Sequence, residues 1–110
     1  MALWHIGYAA IVVMAGFGAV RAQEAGDAHQ GLLYASRHCT ECHTIERGGW
    51  TSPNPDAPPF QALANTQGVS WIVLTAWLQS SHKSMPNLLV EPKDREDVIA
   101  YILSLKAKQP

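Results

Sequence analysis

Cysteine is scarce in this chain, and the two copies among its 110 residues are Cys39 and Cys42. A tetrahedral zinc site needs further cysteine or histidine ligands at similar spacing, and no second cysteine pair exists. The residues around the pair also lack the alternating strand and helix pattern that a thioredoxin-like redox motif requires. These absences leave few uses for two cysteines three residues apart.

An excess of positive charge is also missing, because eight Lys and Arg residues are balanced by nine Asp and Glu residues. Without a basic stripe, nucleic acid is not an expected partner. The sequence offers no hydroxyl–histidine–carboxylate set and no pair of carboxylates that would form an active centre. It therefore predicts neither a nucleic-acid-binding protein nor a hydrolytic enzyme.

The two cysteines stand in the run Cys39-Thr40-Glu41-Cys42-His43, which has the C-x-x-C-H spacing of a c-type haem attachment site. Two thiols on one helical turn can each add to a vinyl group of haem, and the next residue can turn its imidazole towards the iron. We therefore predict one haem c, attached covalently through Cys39 and Cys42, with His43 as an iron ligand.

The first 22 residues predict a targeting segment. Residues 2–20 contain no Lys, Arg, Asp or Glu, and Val20-Arg21-Ala22 has the small residues that a signal peptidase needs. The prediction is a signal peptide over residues 1–22 and a single domain over residues 23–110. Because the uncharged stretch approaches the roughly 20 residues that span a bilayer, an uncleaved N-terminal anchor is the alternative. Either outcome places the domain in the periplasm.

Turn signals and hydrophobic periodicity predict an all-α domain with one long irregular insert. Asp27 is placed to cap a helix that runs to about His38. The insert is Thr44–Pro59, which contains four prolines. A short helical turn is expected at Phe60–Ala64.

Two further helices are predicted in the second half of the chain. Val69–Gln79 has the β-branched residues of a strand, but its apolar i,i+4 pairs and its length favour a helix. The last helix begins near Pro92 and has acidic residues in its first turns. Its buried stripe is predicted to be Val98, Ile102 and Leu105.

On these motifs the chain resembles the monohaem class I cytochromes c over residues 27–107. The resemblance rests on Gly31-Leu32-Leu33-Tyr34, Cys39–His43, Ala57-Pro58-Pro59-Phe60, Ser84-Met85-Pro86-Asn87-Leu88 and Ile99-Ala100-Tyr101-Ile102-Leu103-Ser104-Leu105. It implies a cytochrome c domain over residues 23–110, with three to five helices packed around one covalently bound haem and long irregular loops.

The resemblance also implies two contacts. The first and last helices of the family cross closely, and Gly31, Tyr34 and Tyr101 match the places where a glycine and an aromatic on one helix meet an aromatic on the other. The family holds its axial histidine with a proline carbonyl. Pro58 is favoured for that role here, and Pro59 is the alternative.

The second axial ligand of the iron is predicted to be Met85, which is the only methionine beyond residue 22. It lies in a polar loop and precedes a proline, where the family places its axial methionine. His82 is the second candidate, and His29 and His38 are weaker ones. Of the helical tryptophans, Trp71 and Trp77 do not share a helix face, so at most one is expected to face the haem.

An iron with both axial positions filled cannot bind a substrate, so the expected function is one-electron transfer and not catalysis. The expected partners are membrane or periplasmic oxidoreductases, with membrane contact only through the N-terminal segment if it is uncleaved. Two alternatives stay open. One is a cytochrome c subunit of a larger dehydrogenase or oxidase, and the other is a haem enzyme or gas-binding protein with an open iron site.

Overall fold

The computed structural model of this protein describes residues 11, 12, 16, 25–80, 85 and 90–107, and the regular structure within these ranges is helical. In these ranges the helices are α1 (Ala28–His38), α2 (Phe60–Ala64), α3 (Trp71–Gln79) and α4 (Pro92–Ser104). The same ranges contain no strand, so the prediction of an all-α fold with three to five helices is confirmed. No helix of the described chain is long and apolar enough to cross a membrane. The predicted leader falls almost entirely outside the described residues and stays a prediction.

Helix α1 begins and ends where its sequence predicts. The Asp27 carboxylate accepts hydrogen bonds from the backbone N–H groups of His29 at 2.9 Å and Gln30 at 3.1 Å. These bonds satisfy two of the four N–H groups that a helix start leaves unpaired. At the other end, Arg37 and His38 occupy the last turn, where positive charge complements the helix dipole.

The segment Val69–Gln79, whose sequence is compatible with a strand or a helix, forms helix α3 over Trp71–Gln79. It begins at Trp71, because Ser70 is extended and its hydroxyl accepts a hydrogen bond from the Val73 N–H at 3.3 Å. Val69 therefore belongs to the preceding turn, where it is buried. The helix prediction is confirmed with a start two residues later, and the strand alternative is wrong.

Helix α4 contributes more residues to the core than any other described helix. Pro92 lies in its first turn, and the predicted stripe of Val98, Ile102 and Leu105 is buried. Of the acidic residues expected near its positive end, only Asp94 lies in the first turn. Asp97 is instead buried at the crossing with α1.

The crossing of α1 and α4 depends on Gly31. A Cβ atom built on Gly31 would lie 1.9 Å from the carbonyl oxygen of Asp97 and 2.9 Å from the Cβ of Tyr101, so the two backbones are in contact. The Asp97 carboxylate, 3 % exposed, accepts a hydrogen bond from the Asp27 N–H at 2.8 Å. The predicted contact of Gly31 with Tyr101 is confirmed.

The irregular insert is held to the helices by a buried glutamine. The amide of Gln61 donates from Nε2 to the Leu105 carbonyl at 2.8 Å and accepts at Oε1 from the Gly48 N–H at 2.9 Å. Gly48 has a φ of +77°, a backbone conformation that favours glycine because glycine has no Cβ atom. The side chain thus ties the insert to the end of α4.

A second tie between the insert and α4 is the hydroxyl of Tyr101, which donates to the Ile45 carbonyl at 2.6 Å in a buried position. We expect Tyr101→Phe to lower the free energy of unfolding by about 1.5 kcal/mol, because a buried carbonyl is left without a partner. Denaturant unfolding at pH 7 measures this. Tyr34→Phe is the matched control, since the Tyr34 hydroxyl has no hydrogen bond among the described residues, and it should cost less than about 0.5 kcal/mol.

The cost of Tyr101→Phe should also depend on pH. Burial raises the pKa of Tyr101 above its usual value, so the folded protein retains a phenol proton that the unfolded chain releases near pH 10. This contribution to stability is complete below about pH 10 and is lost as the pH rises through the folded-state pKa. The difference between wild type and Tyr101→Phe should therefore shrink above pH 10. A difference that grows there would contradict the assignment.

Candidate haem-binding cleft

The two cysteines and the histidine lie in a tight turn that continues from α1. The Cys39 N–H donates to the Ala35 carbonyl at 2.9 Å, and the Cys39 carbonyl accepts from the N–H groups of Cys42 at 3.2 Å and His43 at 2.8 Å. The two cysteines are not joined by a disulfide bond, and both are partly buried. The turn therefore brings both sulfur atoms and the imidazole to one wall of a cleft, which all three residues line.

Burial affects the acidity of the first thiol. It raises the pKa of Cys39 to about 11, so this thiol is protonated at neutral pH. Redox exchange and zinc binding both use the thiolate, so the environment of Cys39 suits neither. In addition, the described residues contain no group of three His, Cys, Asp or Glu side chains that could hold a metal ion.

The orientation of His43 is fixed by a hydrogen bond. Its Nδ1 lies 2.7 Å from the carbonyl oxygen of Pro58, and a carbonyl can only accept, so Nδ1 carries the proton. Nε2 is then left with a free lone pair, which is the form in which histidine binds a metal. The ring also contacts Phe60, with ring centroids 5.4 Å apart. The prediction of Pro58, in preference to Pro59, is confirmed.

The remaining walls of the cleft are mostly apolar. The cleft has a volume of about 290 Å³ and receives side chains from α2, α3 and α4. The apolar residues among them are Ala57, Pro58, Phe60, Leu63, Leu74, Trp77, Leu78, Val98 and Ile102. Polar groups come from α1 and the loops, namely His38, Glu41, Asn54 and Asp56. Such a cavity suits a large apolar ligand with a polar edge.

Met85 lines the same cleft as His43 and is partly buried. Of the other candidate ligands, His38 is exposed beside the cleft, and His29 is exposed on α1 and does not line it. His82 lies outside the described residues. The structure thus brings Met85 and His43 to one cavity, and iron binding by Met85 stays a prediction.

Residues 31–106, more than two thirds of the chain, match the Cytochrome c family model. The chain belongs to the cytochrome c family. The resemblance drawn from the sequence motifs is therefore confirmed, and the four described helices agree with the cytochrome c fold. Members of this family carry covalently bound haem and transfer electrons, so this cytochrome c is a haem-based electron carrier.

The residues of this cytochrome c fit a covalently bound haem. A haem needs two thiols for its vinyl groups, an imidazole nitrogen for its iron and an apolar cavity for its ring. The partly buried Cys39 and Cys42 can supply the thiols, and Nε2 of His43 can supply the nitrogen. No charged side chain from α3 or α4 lines the cleft within the described ranges.

The tryptophans of this cytochrome c have separate environments that the sequence does not reveal. Trp77 lines the cleft and is 36 % exposed, whereas Trp71 packs against the core and lines a different depression. Of these two residues Trp77 lines the cleft and Trp71 does not, and the prediction that at most one of them faces the haem stays a prediction. Trp50 is exposed in the insert.

Sequence reasoning did not identify Leu63, Leu74 and Asp56 as lining the cleft. Leu74 carried a signal, because it forms an i,i+4 pair with Leu78 and both residues line the cleft. Leu63 and Asp56 had no comparable signal, since the packing of α2 and the path of the insert depend on contacts that are distant in sequence.

Proposed function

We propose that this cytochrome c is a one-electron carrier that holds a single haem c through thioether bonds from Cys39 and Cys42, with His43 and Met85 as the two axial ligands of the iron. The observation that supports this most strongly is that one apolar cleft is lined by both cysteines, by a histidine with a free Nε2, and by Met85. A protein that fills both axial positions with its own side chains has electron transfer as its available reaction.

Bound haem supplies a reversible one-electron change at its iron. The residues of the chain determine how readily this change occurs. The Pro58 carbonyl holds the imidazole of His43 in one tautomer and orientation. The thioether of Met85 favours the ferrous state and raises the reduction potential. Apolar side chains such as Leu74 and Val98 exclude water and disfavour the additional positive charge of the ferric state.

We further propose that the carrier works in the periplasm between larger membrane or periplasmic oxidoreductases. The support is the uncharged, signal-like segment of residues 1–22. If that segment is cleaved, the domain diffuses between its partners. If it is retained, the domain is tethered to the membrane.

Covalent attachment is tested by mass spectrometry and solvent extraction of the mature protein. We expect the polypeptide to carry the mass of one haem, and the colour to stay with the protein through acid–acetone extraction. The same mass spectrum shows whether residues 1–22 are removed. Colour that passes into the solvent, from protein matured in an oxidising compartment, would contradict attachment through both cysteines.

The variant Cys42→Ser separates the two thioether bonds. It should retain one bond through Cys39 and yield a holoprotein that unfolds more easily than the wild type. Ser80→Cys is a control, because it adds an exposed thiol at the end of α3 away from the cleft. It should leave a single haem per chain.

Electron transfer to a membrane oxidase or reductase should depend only weakly on ionic strength. The described rim of the cleft has no Lys or Arg, and Lys93 is paired with Asp97 at 3.1 Å. The segment around Met85 also contains Lys83 and the apolar residues Pro86, Leu88 and Leu89. We expect docking to depend mainly on these apolar residues, and all four lie outside the described residues. We expect the rate to change by no more than about tenfold from low to high salt. A change of several hundredfold would show that a localised charged patch controls docking.

A further inference from the structure

Phe60 is a buried aromatic residue that the proposed function uses only as part of the cleft wall. It is the first residue of α2, and its side chain is 4 % exposed. Its ring contacts the imidazole of His43, with ring centroids 5.4 Å apart and an angle of 54° between the planes. Both residues line the cleft, so this contact lies at the wall where the iron ligand is expected.

The hydrogen bond to Pro58 does not fix the imidazole of His43 completely. It fixes the tautomer and the position of one atom, Nδ1. The torsion that turns the imidazole about its bond to Cβ has only broad preferences, and iron has to meet the lone pair of Nε2, which lies in the plane of the ring. A second group packed against the imidazole restricts that plane. Phe60 is such a group, at a separation within the roughly 4.5–7 Å typical of aromatic pairs.

The backbone of Phe60 is joined to the segment that contains His43. The N–H of Phe60 donates to the carbonyl of Thr44 at 2.9 Å, one residue after the histidine. The carbonyl of Pro58 accepts from the histidine itself at 2.7 Å. Two hydrogen bonds therefore hold residues 58–60 to residues 43–44, and they keep the phenyl ring in register with the imidazole.

The ring of Phe60 is also supported from α4. The ring of Tyr101 lies 6.4 Å from it, with an angle of 52° between the planes, and the Tyr101 hydroxyl is bound to the Ile45 carbonyl. The next residue, Gln61, donates to the Leu105 carbonyl at the end of α4 at 2.8 Å. Because its side chain and its backbone are both anchored in this way, Phe60 presents a rigid surface to the imidazole.

We infer that Phe60 is a positioning residue for the axial histidine: its ring holds the imidazole of His43 in the orientation from which Nε2 binds the iron. The inference rests on the proposed function, in which His43 is an iron ligand. Phe60→Leu and Phe60→Met keep an apolar side chain in the core but remove the flat, rigid ring. In both variants the imidazole should turn about its bond to iron and come to rest at a different angle.

The experiment compares the wild-type holoprotein with Phe60→Leu, Phe60→Met and Tyr101→Phe by proton NMR. In low-spin ferric haem, the shifts of the four ring methyl groups depend on the directions of the axial ligands. In the ferrous protein, Overhauser effects between the His43 ring protons and the haem meso protons locate the imidazole directly. Both measurements report the folded protein, so a loss of stability alone does not change them.

We expect both Phe60 variants to change the spread of the methyl shifts and the pattern of Overhauser effects, while the far-red methionine–iron band is retained. Tyr101→Phe is the matched control, because it keeps an aromatic ring beside Phe60 and loses a buried hydrogen bond. It should lower the stability and leave both NMR patterns nearly unchanged. Methionine adapts to irregular gaps in a core, so Phe60→Met keeps the test decisive if Phe60→Leu does not fold.

The possible results separate this inference from the proposed function. Patterns that stay unchanged in a folded Phe60 variant would overturn the inference and leave Phe60 as a core residue only. Equal changes in Tyr101→Phe would overturn it as well, because any loss of packing near the cleft would then turn the imidazole. A protein that lacks covalent haem, or whose iron does not bind His43, would instead refute the proposed function.

Discussion

Replacing Met85 with histidine is expected to lower the reduction potential by a few hundred millivolts, since axial-ligand identity sets haem potentials over a range of about 0.8 V. A thioether stabilises ferrous iron, whereas a second imidazole stabilises the ferric state. Met85 lines the same cleft as His43, whose Nε2 is free for iron, so a ligand exchanged at residue 85 should act directly on the metal. Potentiometric titration of the purified variant measures the shift.

Absorption spectra identify the ligand independently of the potential. A methionine–iron bond gives a charge-transfer band in the far red, which Met85→His should abolish. His82→Ala is the control and should leave the band nearly unchanged. A spectrum that is unaltered in Met85→His but changed in His82→Ala would overturn the assignment of Met85 as the iron ligand and favour His82. A wild-type protein that lacks the band and binds exogenous ligands would favour the alternative of an open iron site.

The parts of the site that the sequence predicted are those that depend on local chemistry. The turn from Cys39 to His43 follows from five consecutive residues at the end of a helix, and the cap of α1 follows from Asp27 and the two N–H groups after it. The contact between His43 and Pro58 spans fifteen residues, and it was predictable only because the family resemblance supplied it. Spacing alone did not distinguish Pro58 from Pro59.

The parts that the sequence could not predict depend on how distant elements meet. Asp97 is one of the acidic residues near the start of α4, where a carboxylate would complement the helix dipole. Its carboxylate instead accepts a hydrogen bond from the backbone N–H of Asp27, which caps α1, and one from Lys93 at 3.1 Å. Burying a carboxylate is costly unless it is hydrogen-bonded, so these partners make its position in the core possible. Nothing in the periodicity of α4 indicates that Asp97 faces α1.

The environment of Trp77 also depends on the packing of elements that are distant in sequence. Its helix, α3, is apolar except for one threonine and its terminal glutamine, with Ile72 79 % exposed and Leu74 2 % exposed. When several faces of a helix are apolar, its sequence does not indicate which of them lies inward. The packing of α3 on α4 makes that choice, and it places Trp77 and Leu78 at the cleft while Trp71 packs against the core.

Gly31→Ala is expected to lower the free energy of unfolding by about 3 kcal/mol, near the upper end of the cost of overpacking a core. The added methyl group would meet the carbonyl oxygen of Asp97 at 1.9 Å and its carbonyl carbon at 2.5 Å. These are backbone atoms, so α1 and α4 have to move apart. Alanine is intrinsically better in a helix than glycine by about 0.5–1 kcal/mol, and this gain is already included in the expected net loss.

Moving the two helices apart should also disturb the haem-binding cleft, because α1 leads directly into the turn that contains Cys39, and α4 lines the cleft with Val98 and Ile102. Denaturant unfolding of the holoprotein measures the loss, and Gln30→Ala is the matched control on the same helix. Gln30 is exposed, so its replacement should change the stability by less than about 0.5 kcal/mol. Equal stabilities for Gly31→Ala and Gln30→Ala would mean that α1 and α4 do not touch at Gly31. A large loss confined to Gly31→Ala would instead show that the close crossing of α1 and α4 at Gly31 stabilises the fold.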